Sequence, residues 1–555
     1  MKRKHFWQRV GKHDGAIYGF YSLIALGVLL PLLQPGFVLT LDMVFTPTIR
    51  MPAAMSNTYL FATTLHLLNR LVASDVLEKL LLLLIIWLAG VGMHRLVRSL
   101  ATQPSDHLQT VSAYFAGLLY AVNPFSYERF MAGQYELLLG YALLPWFVNS
   151  LLDWLSRPTR KSTIILSAWA IGISIVSIHA VGFMVLLSVI GLMVKLWQQR
   201  HSPDVVWRLT QATAGLICLY LIASSYWLVP LLLGHGKSAS VISSFTTSDQ
   251  TAFATIGRNS IEKIGNVLRL QGFWAENRNL FILPQTHLPV WRLIGTLLWV
   301  VIVIGAMSLW RHGQKLLVIC LGFTSLLSII LAIGTFNSFL VSHIPLFAGY
   351  REPQKFVALV ALADCAFAGQ GFAVISGAIC RYSGRILGWL AAAALFAIPA
   401  IWVHPIWWGF GRQLIATQYP GDWYTMNTRL DRDHSSFRTL FLPWHLYMPF
   451  AFAGRIIANP APQFFDKPIL ISNDPEFAGA SVIPDVRASR LTTILIEAGN
   501  QADLGKQLAA YHIKYVLLSL DYDYLSYGYL DRQPSLRVIA QSTSLRLYLN
   551  EDFRE

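Results

Sequence analysis

Residues 77–97 read LEKLLLLLIIWLAGVGMHRLV. From Leu80 to Met93 the run carries no charge, and a helix of about 20 mostly apolar residues crosses a hydrocarbon core of about 30 Å. Ten further runs of the same kind stand near 16–34, 109–126, 134–154, 162–178, 180–197, 209–232, 289–309, 315–334, 355–379 and 386–404. Composition agrees. The 555 residues are 55% hydrophobic and 13% charged, whereas a soluble domain has roughly a quarter of its residues charged. Lipid is therefore the solvent for much of this chain. The sequence predicts a multi-pass α-helical membrane protein of about 11 spans over residues 1–404, followed by a small α/β domain over 405–555.

The charges between the runs set the orientation. Arg3, Lys4, Arg9 and Lys12 precede the first run, Arg95 and Arg98 follow the second, and Arg157, Arg160 and Lys161 follow the fourth. Lys195, Arg200 and Arg208 join the sixth to the seventh, Arg311 and Lys315 the eighth to the ninth, and Arg381 and Arg385 the tenth to the eleventh. All fall on one side if the N-terminus is cytoplasmic, as the enrichment of Lys and Arg in inner loops requires. Eleven spans then place the C-terminus outside, in a plasma membrane. The basic segment Met1–Lys12 resembles a signal-peptide n-region, but no small-residue cleavage site follows, so the first run is expected to be retained.

The same reading excludes several function classes. The net charge of +14 follows from the loops and not from a basic face interleaved with aromatics, so no nucleic-acid partner is expected. Cys218, Cys320, Cys365 and Cys380 lie in or beside apolar runs with no CxxC pair, which removes zinc and redox motifs. No Walker loop, GxSxG or HExxH occurs, leaving no support for a nucleotide-driven pump or a standard hydrolase.

Beyond Pro405 charged residues become frequent and apolar runs shorten. Arg438–Trp444 (RTLFLPW) and Tyr515–Leu520 (YVLLSL) read as buried strands, Gln501–Tyr511 as a helix with Leu504, Leu508 and Tyr511 on one face, and Arg537–Ala540 with Leu545–Leu549 as a closing hairpin.

Three outer loops hold the residues able to carry chemistry. In Leu39–Pro47 (LTLDMVFTP), Asp42 stands about eight residues past the first run among apolar neighbours. A carboxylate at that depth must be paired, ligate a metal or face water. Facing water, it can take the proton of an acceptor hydroxyl as general base; the bland alternative is a helix cap. In the turn Asn123–Gly133, followed by Tyr135 and Glu136, the residues Glu128, Arg129 and Glu136 gather level with Asp42. Carboxylates at one depth suit a metal or a shared proton, and a Glu–Arg surface pair is the structural alternative. In Gly349–Phe356 (GYREPQKF), Arg351 and Lys355 are positive on the outer side, against the topology rule. Four residues apart, both can face one way on the first helical turn, where an anion is favoured. Arg offers phosphate a planar fork and Lys a point charge; headgroup snorkelling is the alternative. Arg269 and Trp274 are candidates for sugar contact, and His179, in a tight outer hairpin, for substrate or metal. Asp364, alone and acidic deep in the tenth run, keeps a transporter in view.

This layout resembles the GT-C superfamily of membrane glycosyltransferases, which includes oligosaccharyltransferases, protein mannosyltransferases and mycobacterial arabinofuranosyltransferases. A long first outer loop with an early acidic residue, about eleven spans and an outer soluble domain all match. LTLDMVFTP, the Asn123–Gly133 turn, YREPQKF and YPGDW (Tyr419–Trp423) look like segments of poorly characterised members. The resemblance implies transfer of a sugar from a polyprenyl-phosphate donor to a glycan, lipid or protein acceptor. It makes Asp42 the catalytic carboxylate, Arg351 and Lys355 the holders of donor phosphate, and Glu128 or Glu136 the second acidic residue. The carboxylates themselves leave open a divalent cation, magnesium or manganese, held by Asp42 with Glu128. Many relatives carry two adjacent acidic residues in the first loop, whereas Leu41 and Met43 flank Asp42 here. The competing readings are a transporter or flippase of lipid-linked glycans and a non-catalytic accessory subunit of envelope glycan assembly.

Overall fold

The computed structural model describes residues 14–100, 107–235, 247–344, 346–477, 485–500 and 503–555, with positions 239, 242, 244, 245, 480 and 482 between them. The basic segment Met1–Lys12, and Gln501 at the start of the expected helix, lie outside the described residues. In chain order the helices up to residue 232 are α1 (Asp14–Leu29), α2 (Tyr59–Asn69), α3 (Ser74–Leu100), α4 (His107–Ala121), α5 (Pro124–Met131), α6 (Tyr135–Ser156), α7 (Arg160–Ser174), α8 (Ile178–Gln198) and α9 (Pro203–Leu232).

Nine helices among the described residues are long and apolar enough to cross a membrane, and each coincides with a run read from the sequence. The chain is a multi-pass membrane protein. The other two expected positions hold α4 and α7, 15 residues each. At 1.5 Å per residue they reach about 22 Å, short of a full hydrocarbon core of about 30 Å. α4 is buried along most of its length against α3 and the helix Val357–Tyr382, so its apolarity serves packing.

Val357–Tyr382 is the centre of the bundle. Every residue from Val357 to Ala373 is buried, which explains why the run is apolar all round and not on one stripe. It crosses the helix Trp291–Arg311 at a pair of glycines. A Cβ on Gly305 would lie 1.9 Å from the carbonyl oxygen of Phe367, and one on Gly371 2.0 Å from that of Val301. Small residues let the backbones meet where lipid offers no hydrophobic drive for association.

The charges at the start of the run 77–97 have a local purpose. Asp75 accepts a hydrogen bond from the Gly36 amide (3.0 Å) and Glu78 from the Val38 amide (3.0 Å). The head of α3 thus fixes the beginning of the first long loop. There β1 (Phe37–Val38) pairs antiparallel with β2 (Ala416–Thr417), tying this loop to the far end of the chain.

The residues after 405 build the expected strands into one mixed sheet. β3 (Arg438–Leu442) lies between β6 (Ile469–Leu470) and β7 (Ile513–Ser519), all parallel. β9 (Leu545–Asn550) pairs antiparallel with β7 and with β8 (Leu536–Gln541), and β4 (Tyr447–Phe450) with β5 (Arg455–Ala458) forms a separate hairpin. Side chains alternate across the sheet. Leu440, Leu442, Val516 and Leu518 pack under the helices Val486–Glu497 and Leu504–Ala509. Phe441, Leu517 and Leu547 on the other face join an apolar cluster that runs without a break into the helical bundle. In YPGDW, Trp423 is fully buried in an aromatic cluster, and Asp422 takes three hydrogen bonds from Ser542 and Ser544 in the β8–β9 turn.

Candidate active site

Asp42 sits in a four-residue turn. The Thr40 and Met43 amides and carbonyls bond each other (2.7 and 3.1 Å), and Leu41 between them has φ 35°. The turn is clamped on the C-terminal end of α5: Thr40 Oγ1 donates to the Met131 carbonyl (2.7 Å), and the Asp42 amide to that of Ala132 (3.2 Å). Its other side is held by the Ala458 amide on β5, which donates to the Leu41 carbonyl (2.8 Å). Gly133 makes the clamp possible. Its φ is +73°, and a Cβ there would lie 2.4 Å from both the Met43 nitrogen and the Thr40 oxygen. Gly133→Ala is therefore expected to cost about 1–2 kcal/mol for the left-handed backbone alone, and to displace Asp42 as well. A lowered thermal midpoint with lost activity checks this; an unchanged variant would rule out the clamp.

α5 itself is set by Asn123, whose side chain caps the helix in a reciprocal pair with Ser126, with Pro124 following. This aims Arg129, fully buried, at the YREPQKF segment. Arg129 donates to Glu352 Oε2 (2.9 Å), Gln134 Oε1 (2.7 Å) and Gln354, and lies over the Phe273 ring at 4.1 Å. Lys355 Nζ stands 3.3 Å from the other Glu352 oxygen and 3.0 Å from His179 Nε2. Burial raises the Glu352 pKa, but Lys355, Arg129 and Arg351 together outweigh it and hold Glu352 well below the carboxylate range.

Arg351 and Lys355 do not share a helical turn as expected. Residues Pro353–Phe356 form a 3₁₀ turn and the helix begins only at Val357; Pro353 and the Glu352 ion pairs interrupt the register. Arg351 extends the other way, 3.5 Å from the buried Asp249, with its guanidinium over Phe245 (4.2 Å) and Phe253 (4.4 Å).

The Asp42 carboxylate is exposed to solvent and accepts a 2.6 Å hydrogen bond from the Tyr447 hydroxyl on β4. Surrounding protein strips much of its hydration, and this raises its pKa above the ordinary value. The nearby Glu352 charge adds to the rise, while Tyr447, Lys355 and Gln134 oppose it. Tyr447 is held above its usual pKa by burial and the Asp42 charge, so it stays the donor.

The other candidates divide. Glu128 is buried and turns to Glu276, not to Asp42. Burial, and after it the Glu276 charge, hold Glu128 well above the usual carboxylate range, while Glu276 accepts from the Gly272 and Phe273 amides. Asp42 bonds Tyr447 while Glu128 lies beside Glu276, so a divalent cation shared by Asp42 and Glu128 remains an expectation from the sequence. Glu136, half-buried on the first turn of α6, makes no ion pair among the described residues. Trp274 packs edge-on to Phe253 and Phe477, one ring removed from Arg351. Arg269 is not brought to the site; it bonds Asn266 and packs on Gly295. Asp364 lies mid-helix in the packed bundle. No group of three His, Cys, Asp or Glu suited to a metal occurs among the described residues. The charges of Lys355 and Arg129 both act on Asp42.

Two partners were missed in the sequence. Glu352 stands between the two cations that dominate its segment, and Tyr447 lies 405 positions from Asp42 with no local signal.

Bundle, loop clamp and sheet together make a multi-pass membrane protein whose long first loop is tied to a mixed sheet. No protein-family model matches the chain, and no curated protein matches it in sequence. Solved structures do. The cryo-EM structure of the arabinofuranosyltransferase AftD from Mycobacteria superposes with a TM-score of 0.65 and 16% identity, over 97% of this chain and 39% of that one. Two classes of a mutant of the same enzyme give 0.55 and 0.54, each at 16% identity, over 96% and 98% of this chain and 41% and 42% of theirs. The chain thus spans well under half the length of that enzyme.

Proposed function

We propose that this chain is a membrane glycosyltransferase that moves a sugar from a polyprenyl-phosphate donor to an acceptor hydroxyl at the outer face of the membrane. One observation carries the reading: a solvent-facing carboxylate stands near three cations, themselves paired with Glu352 and Asp249, where the helical bundle meets the sheet. The fold shared with an arabinofuranosyltransferase supports it. In this orientation the N-terminus is cytoplasmic and the sheet extracytoplasmic.

Asp42 takes the proton of the acceptor hydroxyl as its oxygen bonds to the sugar carbon. The bond from that carbon to the phosphate oxygen breaks, and the lipid phosphate leaves with the electron pair. Charge grows on the leaving oxygen, so a cation fixed beforehand stabilises the transition state more than the ground state. Arg351, with 27% of its side chain exposed against 8% for Lys355, is the cation that reaches a ligand; Lys355 supports it from behind.

Native mass spectrometry of the protein from its own membrane tests the donor. Wild type is expected to carry a polyprenyl phosphate or its glycosylated form, lost in Arg351→Ala and reduced in Lys355→Ala. Ordinary phospholipids alone, equal in all three, would overturn the reading.

A further inference from the structure

We propose that the surface around His445, Tyr522 and Asp523 is a binding subsite for an uncharged oligosaccharide, the acceptor of the transfer; this rests on the glycosyltransferase reading above. Tyr522 is 46% exposed and Tyr524, two residues on, is 38% exposed. The Tyr522 ring lies 5.8 Å from the His445 ring, so an aromatic and an imidazole plane stand together at the surface. Exposed aromatic faces of this kind pack against the C–H face of a sugar ring, as apolar area with little rotamer freedom to lose.

Polar groups flank the rings. His445 Nδ1 is 2.6 Å from Glu476 and Nε2 3.4 Å from Asp523. Asp523 is preset: its backbone is left-handed at φ 49°, and it accepts a 2.5 Å hydrogen bond from Ser526. A group already fixed loses little entropy on binding. Both carboxylates keep free lone pairs for sugar hydroxyls. Two carboxylates and one imidazole stand here, whereas around Asp42 the carboxylates Asp42, Glu352 and Asp249 meet three cations. An anionic chain is repelled from this face and a neutral polyol is not.

The place in the fold fixes the role. His445 is two residues before Tyr447, whose hydroxyl bonds Asp42, so the two Cα atoms are within about 7 Å. Asp42, Tyr447, His445 and Tyr522 thus follow one another by direct contact or chain neighbourhood, an order that a short oligosaccharide with its reactive hydroxyl at Asp42 would follow.

Saturation-transfer NMR on the detergent-solubilised full chain, with a panel of neutral hexasaccharides of arabinose, mannose, glucose and xylose, tests this. Wild type is expected to bind at least one. Tyr522→Ala weakens that binding at least about tenfold, Tyr522→Phe retains it, and Asp523→Asn weakens it without loss of the lipid phosphate. Tyr522 is exposed, so an unchanged thermal midpoint verifies folding. Absence of binding by the whole panel, or equal binding in wild type and Tyr522→Ala, overturns the subsite. Hexasaccharide binding without any retained polyprenyl phosphate leaves the subsite standing and sinks the donor assignment instead.

Discussion

Asp42→Asn is expected to lower kcat by about 10²–10⁴-fold, the range for removal of a general base, while retained lipid phosphate and thermal midpoint stay as in wild type. The backbone clamp on α5 uses only main-chain atoms of residue 42, and an amide can still accept from Tyr447, so the turn survives the change. What is lost is the proton acceptor. A pH profile gives the same residue a second signature. The carboxylate must be ionised to act, so activity falls as pH drops through its pKa. That pKa is raised, and the acid limb of kcat/KM should lie above the ordinary aspartate value of about 3.9. The Tyr447 hydrogen bond opposes the rise; Tyr447→Phe should move the limb to still higher pH. Undiminished transfer by Asp42→Asn would remove Asp42 from catalysis.

Arg129→Ala is the second large effect, on stability. The guanidinium is wholly buried and Glu352 nearly so. Removing one partner of a buried pair leaves an under-compensated charge, which costs about 3–5 kcal/mol. Gln354 and Gln134 lose a donor at the same time. Denaturant unfolding in detergent measures the loss. Adding Glu352→Gln should recover part of it, since the stranded charge is then gone. A loss below about 1 kcal/mol would mean that Lys355 alone suffices for Glu352.

The helices were legible because hydropathy is a local property: each run from 16–34 to 386–404 declares itself without reference to any other. The strands at Arg438–Leu442 and Ile513–Ser519 were legible for the same reason. Asp42 and the cations of YREPQKF stood out because charge at that depth is costly in itself. What sequence could not supply was direction. Glu128 and Arg129 are neighbours on one short helix, and only the fold shows that one faces Glu276 and the other Glu352. The expected turn carrying both Arg351 and Lys355 failed on Pro353, which begins a 3₁₀ turn there and delays the helix. Tyr447 and Ala458 come to Asp42 through the β4–β5 hairpin, a contact no local pattern encodes.

That last contact sets a timetable. A ribosome delivers this chain from its N-terminus, and the loop bearing Asp42 emerges with the first span. Its partner strand, Ala416–Thr417, and the hydroxyl of Tyr447 are made only after all the spanning helices. Until then the carboxylate has its clamp on α5 but not its hydrogen-bond donor. A chain stopped before Ala416 therefore carries the Asp42 turn on α5 without the Tyr447 hydrogen bond and without the β1–β2 pairing.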